Sequence, residues 1–80
     1  MPDINEINAA RAVVSDAKTD HEVATDREAY AIKCFAERRM SYDDATKICR
    51  STVRAALHLL YAVRILQVAE QAALDKNNNG

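Results

Sequence analysis

The sequence predicts an all-α fold: three helices, the third long and C-terminal, packed as a helical bundle and closed by homodimerisation. Three observations carry this expectation. From Ser41 to about Asp75 the chain has no Gly and no Pro, and its apolar residues recur in helical steps of three and four. Alanine, with fifteen copies, dominates the rest and lets helices approach closely. Finally, the apolar side of the long segment is broader than a chain of 80 residues can cover, because so small a domain buries only about 60–65% of its unfolded surface.

The elements follow in order. Pro2 and Asp3 suit a helix start, Pro through its fixed φ and Asp through the helix dipole. Ile7, Ala10, Val14 and Ala17 then recur at helical spacing, with Ile4 and Val13 at the margins, so a first helix is expected from about Asp3 to Ala17. Lys18 to Asp20 breaks the rhythm. Thr19, or in second place Asp20, can cap a second helix that runs to about Arg39, with Glu22 three residues after Thr19 completing a capping-box pattern. Its inner stripe is Val23, Ala24, Tyr30, Ala31, Cys34 and Phe35. Arg27 and Arg38 fall inside that stripe, where their stems cover apolar surface or a carboxylate meets them.

Ser41 and Asp44 form an S-x-x-D cap, and Asp43 and Asp44 complement the dipole of the helix that follows. On that third helix Ala45, Ile48, Thr52, Ala56, Leu59, Val63, Leu66 and Ala73 share one side. Val53, Leu57, Leu60 and Val68 widen it well beyond a surface helix's roughly 100° stripe. A bend or fresh start at Ser51 is the alternative to one continuous helix. Residues 1–75 are read as one helical domain, and 76–80, Lys-Asn-Asn-Asn-Gly, as a disordered polar tail.

Charge sets limits on function. The total is −1, but residues 1–44 carry ten acidic and six basic groups, while residues 45–80 carry five basic and two acidic. No global field draws the chain to nucleic acid or to an anionic membrane. The N-terminus lacks the basic start of a secretory signal, and no uninterrupted apolar run approaches the roughly 20 residues of a membrane span. A cytoplasmic protein without a membrane partner is the expectation, with Cys34 and Cys49 as reduced thiols.

Catalytic and metal chemistry finds little support. His21, Cys34, Cys49 and His58 lack the short spacing of paired zinc ligands. A Cys nucleophile with His58 would need an oxyanion loop, and the only glycine is Gly80, so phosphate-cradling loops are missing too. Glu22, Asp26 and Glu28, or Asp43 and Asp44, read as solvated faces and caps rather than acid–base pairs. No enzyme activity, metal or cofactor is expected.

The stretch AIKCFAERRMSYDDATKICRSTVRAAL resembles helix-turn-helix DNA-binding domains in two places. ERRMSYDDA is similar to the start of the first motif helix, and RSTVRAAL to a recognition helix whose Arg50, Ser51, Thr52 and Arg54 would face DNA. The turn between the two helices is about three residues short and has no Gly.

The function expected first is a small interaction module. It would be an inhibitor or adaptor occupying a surface on a larger protein or nucleoprotein complex, in the manner of phage-encoded inhibitors such as anti-CRISPR proteins. The candidate partner surface is the basic stripe Lys47, Arg50, Arg54 and His58, with Arg38 and Arg39 beside it; Tyr61 continues its flank. The candidate oligomer interface is Val53, Leu57, Leu60, Arg64 and Val68. The alternatives are a DNA-binding regulator using the Arg50–Arg54 region, and a self-assembling structural oligomer.

Overall fold

A computed structural model describes the backbone of residues 4–79 and the side chains of residues 4–76. Among these residues there are two helices and no strand: α1, Ile4–Ala36, and α2, Tyr42–Asn79. They fold back on one another as an antiparallel hairpin 63 × 14 × 13 Å in extent. The all-α class is as expected, but the count of three helices is corrected to two. The expected helix start at Pro2 and Asp3 lies outside the described residues.

The correction falls at Lys18 to Asp20, where α1 passes without interruption. Thr19 does not cap a new helix; its hydroxyl donates to the Ser15 carbonyl one turn back, at 3.2 Å. The reason is that the spacing of the packed positions set in the first turns never breaks, although His21 and Glu28 hold two of them. Ile7, Ala10, Val14, Ala17, His21, Ala24, Glu28 and Ala31, all buried or half-buried, alternate in steps of three and four. Such a strict seven-residue repeat keeps one seam facing the neighbouring helix along its whole length.

That phase also corrects the inner stripe expected for residues 20–39. Ala24, Ala31 and Cys34 face α2, whereas Val23, Tyr30 and Phe35 are 45%, 61% and 44% exposed. Arg27 and Arg38 are exposed as well.

α2 supplies the matching seam. Ala45, Ile48, Thr52, Ala55, Leu59, Ala62, Leu66, Ala69 and Ala73 are buried or half-buried at the same alternating spacing, with Ala56 and Val63 beside them. All eight residues expected to share one side do so, but Val53, Leu57, Leu60 and Val68, expected to widen that side, are exposed on the opposite one. The helix is continuous through Ser51, whose hydroxyl donates to the Lys47 carbonyl at 3.2 Å. It also extends through Asn79, so the stretch 76–80, expected as a disordered tail, continues the helix over its described residues. No Pro or Gly lies between Tyr42 and Asn79 to interrupt it.

One hydrogen bond sets the register. The Thr52 hydroxyl donates across the seam to the Ala24 carbonyl at 3.1 Å. Carried along both helices, this register puts Ala31 level with Ala45, Ala17 with Leu59, Val14 with Ala62 and Ala10 with Leu66. Nearly every level therefore joins a small residue to an equal or larger one, and the backbones come close enough for a side chain to reach a backbone carbonyl of the other helix. Ala17, Ala31 and Ala62 are 1%, 0% and 2% exposed.

The turn is tight. Arg39 N–H donates to the Cys34 carbonyl and Arg38 N–H to that of Phe35, a Schellman closure, with Arg38 at φ 61° in the left-handed position that usually takes glycine. Ser41 then starts α2 as expected: its Oγ accepts from the Asp44 N–H at 3.1 Å. Phe35 and Tyr42 meet edge-to-face across the turn, ring centroids 6.0 Å apart.

Candidate interaction surface

The seam uses one side of α2, and the opposite side is also apolar. Val53, Leu57, Leu60, Tyr61, Ile65, Val68 and Leu74 are 47–67% exposed, all on a single helix. A helix apolar all round is ordinarily one that other elements surround. Here α1 covers only the seam, and the far side faces solvent. Within Tyr42–Lys76 an 18-residue stretch has a mean hydropathy of 1.2, long and apolar enough by length and composition to cross a membrane, although only 6% of it is buried in the hairpin. Short uninterrupted runs conceal this, because Arg54, His58, Arg64 and Gln67 interrupt a segment whose average is nonetheless apolar.

The residues expected to bind a partner divide into two groups. Lys47, Arg50 and Arg54 rise along the outer side of α2, and His58 stands at its edge, all exposed. Between Ala45 and Ala69 that helix carries Lys47, Arg50, Arg54 and Arg64 and no acidic residue. None of these four is ion-paired among the described residues. Arg38 and Arg39 lie apart in the interhelical turn, where Arg39 pairs with Glu37. The five residues expected at an oligomer interface, Val53, Leu57, Leu60, Arg64 and Val68, are all exposed and share the outer side with the basic row. The outer side of α1 carries more acid than base by contrast, Asp16, Glu22 and Asp26 against Lys33. Charge is thus segregated across the width of the rod. The Arg11–Glu70 pair bridges the helices at 3.5 Å, but it is solvent-exposed and contributes at most about 1 kcal/mol.

Sequence reasoning missed Tyr61, Ile65 and Leu74 as members of the outer apolar surface. Their signal was available: they complete a second apolar side opposite the first, which becomes visible once the seam's phase is known.

Reactive groups do not converge. A groove of about 370 Å³ beside the seam is lined by Asp20, Val23, Ala24, Arg27, Ile48 and Ser51, and its one hydroxyl is engaged with the helix backbone. Cys34 is buried at the turn end of α1, Cys49 is half-buried on α2, and both are free thiols. His21, half-buried in the seam, is level with Ala55, while His58 projects from α2 level with Lys18. Among the described residues no three His, Cys, Asp or Glu side chains are placed to hold a metal ion.

The two halves of the resemblance to helix-turn-helix domains are placed differently from that motif. ERRMSYDDA spans the interhelical turn, and RSTVRAAL lies within unbroken α2. A recognition helix needs a turn of three or four residues before it, and α2 has none there. No protein-family model, curated protein or solved structure matches this chain.

Proposed function

We propose that the chain is a non-catalytic interaction module that works by seating the outer side of α2 on another macromolecule. The observation that supports this most is the exposure of Val53, Leu57, Leu60, Tyr61 and Val68 on a helix whose inner seam α1 already occupies. Apolar side chains aligned this way favour burial at about 25 cal/mol per Å². The neighbouring Lys47, Arg50 and Arg54 give the surface an electrostatic preference for an acidic partner. An inhibitor or adaptor acting on a larger protein or nucleoprotein complex fits such a surface, the phage-encoded inhibitors among them. Self-association through Val53, Leu57, Leu60, Arg64 and Val68 belongs to the same proposal.

The test is affinity capture from lysate, comparing the unaltered chain with Leu57→Glu/Leu60→Glu and with Arg50→Glu/Arg54→Glu. Circular dichroism checks that the helices persist. Loss of one macromolecular complex in both variants supports the proposal; capture unchanged by either pair removes this surface from consideration.

A second reading, DNA binding, has the unpaired basic row in its favour. It predicts a gel shift whose affinity falls steeply as salt rises. The absence of a turn before RSTVRAAL argues against insertion in the major groove, so phosphate contact along the rod is the form such binding would take.

A further inference from the structure

We infer that the occupant of the outer side of α2 is a second copy of this chain, its α2 running antiparallel to the first. The inference rests on the docking proposal above and specifies its partner and register. The hairpin exposes 6191 Å², whereas a compact monomer of 8.9 kDa exposes about 4,800 Å². The radius of gyration is 18.0 Å against about 12 Å for a compact domain of this length. The excess, about 1,400 Å², is larger than the roughly 800 Å² each partner contributes to a standard stable interface.

The outer side also carries its own seven-residue rhythm. Arg50, Arg54, Leu57, Tyr61, Arg64, Val68, Gln71 and Asp75 alternate in steps of four and three, diametrically opposite the seam. Running two such stripes antiparallel about a two-fold axis near Ala62 and Val63 brings complementary residues level. Leu57 meets Val68 of the second copy, and Tyr61 meets its Arg64, a cation over an aromatic face. Arg50 meets Asp75 of the second copy, which Gln71 holds from its own helix at 2.9 Å. Val53 and Leu74 of the second copy flank the stripe on one edge, and His58 and Ile65 of the second copy on the other. The register thus covers most of the exposed apolar side chains of α2 and places a charge pair at each end. Because a two-fold contact is made twice, each complementary pair occurs twice. The two α2 helices become the centre of a four-helix assembly with the α1 helices outside, where their acidic sides face water.

Membrane insertion is the competing occupant, since α2 meets the length and composition of a span. Against it, Arg64 sits in the middle of the apolar stretch, where two-fold pairing gives it Tyr61 as a partner.

Light scattering and covalent trapping of the full chain test this. The unaltered chain should have twice the mass of 8.9 kDa at millimolar concentration, and Leu57→Glu/Val68→Glu should return it to the single mass with helicity kept. In a Cys34→Ala/Cys49→Ala background, Arg50→Cys with Asp75→Cys should give a covalent dimer on mild oxidation, while Arg50→Cys alone should not. That pair lies at the polar ends, so it reports even if the glutamate variant fails to fold. A monomer at millimolar concentration overturns the inference, as does self-linking of Arg50→Cys alone, which marks a parallel pair. Co-flotation of a monomer with phosphatidylserine vesicles also overturns it in favour of a lipid occupant. A monomer whose capture of another complex still depends on Leu57 sinks the dimer and leaves the docking proposal standing. If Leu57→Glu/Val68→Glu changes neither mass nor capture, both fall.

Discussion

Arg38 occupies the left-handed position of the turn with φ 61°, in a chain whose one glycine is at its far end. A side chain in that conformation costs about 1–2 kcal/mol relative to its ordinary basins. Arg38→Gly should therefore raise stability by about 1 kcal/mol, read as a higher midpoint in urea without a change of slope. Ser41 works in the opposite direction: its Oγ satisfies the Asp44 N–H, and Ser41→Ala should lower stability by about 1 kcal/mol on the same scale. Thr52 combines packing with a hydrogen bond to Ala24, so Thr52→Val keeps the shape and loses the bond. The expected loss is about 0.5–1.5 kcal/mol. An unchanged midpoint would mean that the cross-seam bond contributes nothing.

At the scale of the helix, α1 packs closely because every second position of its seam is alanine. Ala10, Ala17, Ala24 and Ala31 fall every seventh residue, and they let α2 approach within reach of a carbonyl. Ala17→Leu, at a site 1% exposed, should cost about 1–3 kcal/mol by overpacking, measured as a lower thermal midpoint. A one-alanine insertion after Lys18 is more severe. It turns everything beyond it by about 100° and moves one half of the seam off its partner. Loss of cooperative melting is the expected outcome, and a retained sharp transition would contradict a continuous seam. The sequence hides this continuity because two of the seam positions in the middle of α1 hold His21 and Glu28. Polar residues there, next to a Thr-Asp pair that resembles a cap, read as an interruption. Ser41 was legible for the converse reason: its capping bond is local and needs no partner helix.

At the scale of the whole molecule the outcome is a thin rod with one apolar seam closed and one apolar side open. A chain that buries the open side by pairing is stabilised by mass action. Its melting temperature should rise with chain concentration, and that dependence should vanish in Leu57→Glu/Leu60→Glu. A midpoint that stays constant in the unaltered chain would show that the pairing does not contribute to stability. The breadth of the apolar surface on α2 was readable from Val53, Leu57, Leu60 and Val68 alone. That these four lie opposite the row Ala45, Ile48, Thr52 and Leu59, and do not widen it, was not. That division depends on the phase of α1, whose alanines take Ala45, Thr52, Leu59 and Leu66 as their counterparts.

Helix content, the Ser41 start and the inner row of α2 follow from local chemistry: caps, the lack of Gly and Pro, and a 3.6-residue period written in consecutive residues. The number of helices, the burial of Ala24 and Ala31 in preference to Tyr30 and Phe35, and the position of Val53, Leu57 and Leu60 opposite the seam do not. They arise when two long helices lock in register, because a shared seam outweighs a local break signal and sets the rotation of every residue on both helices.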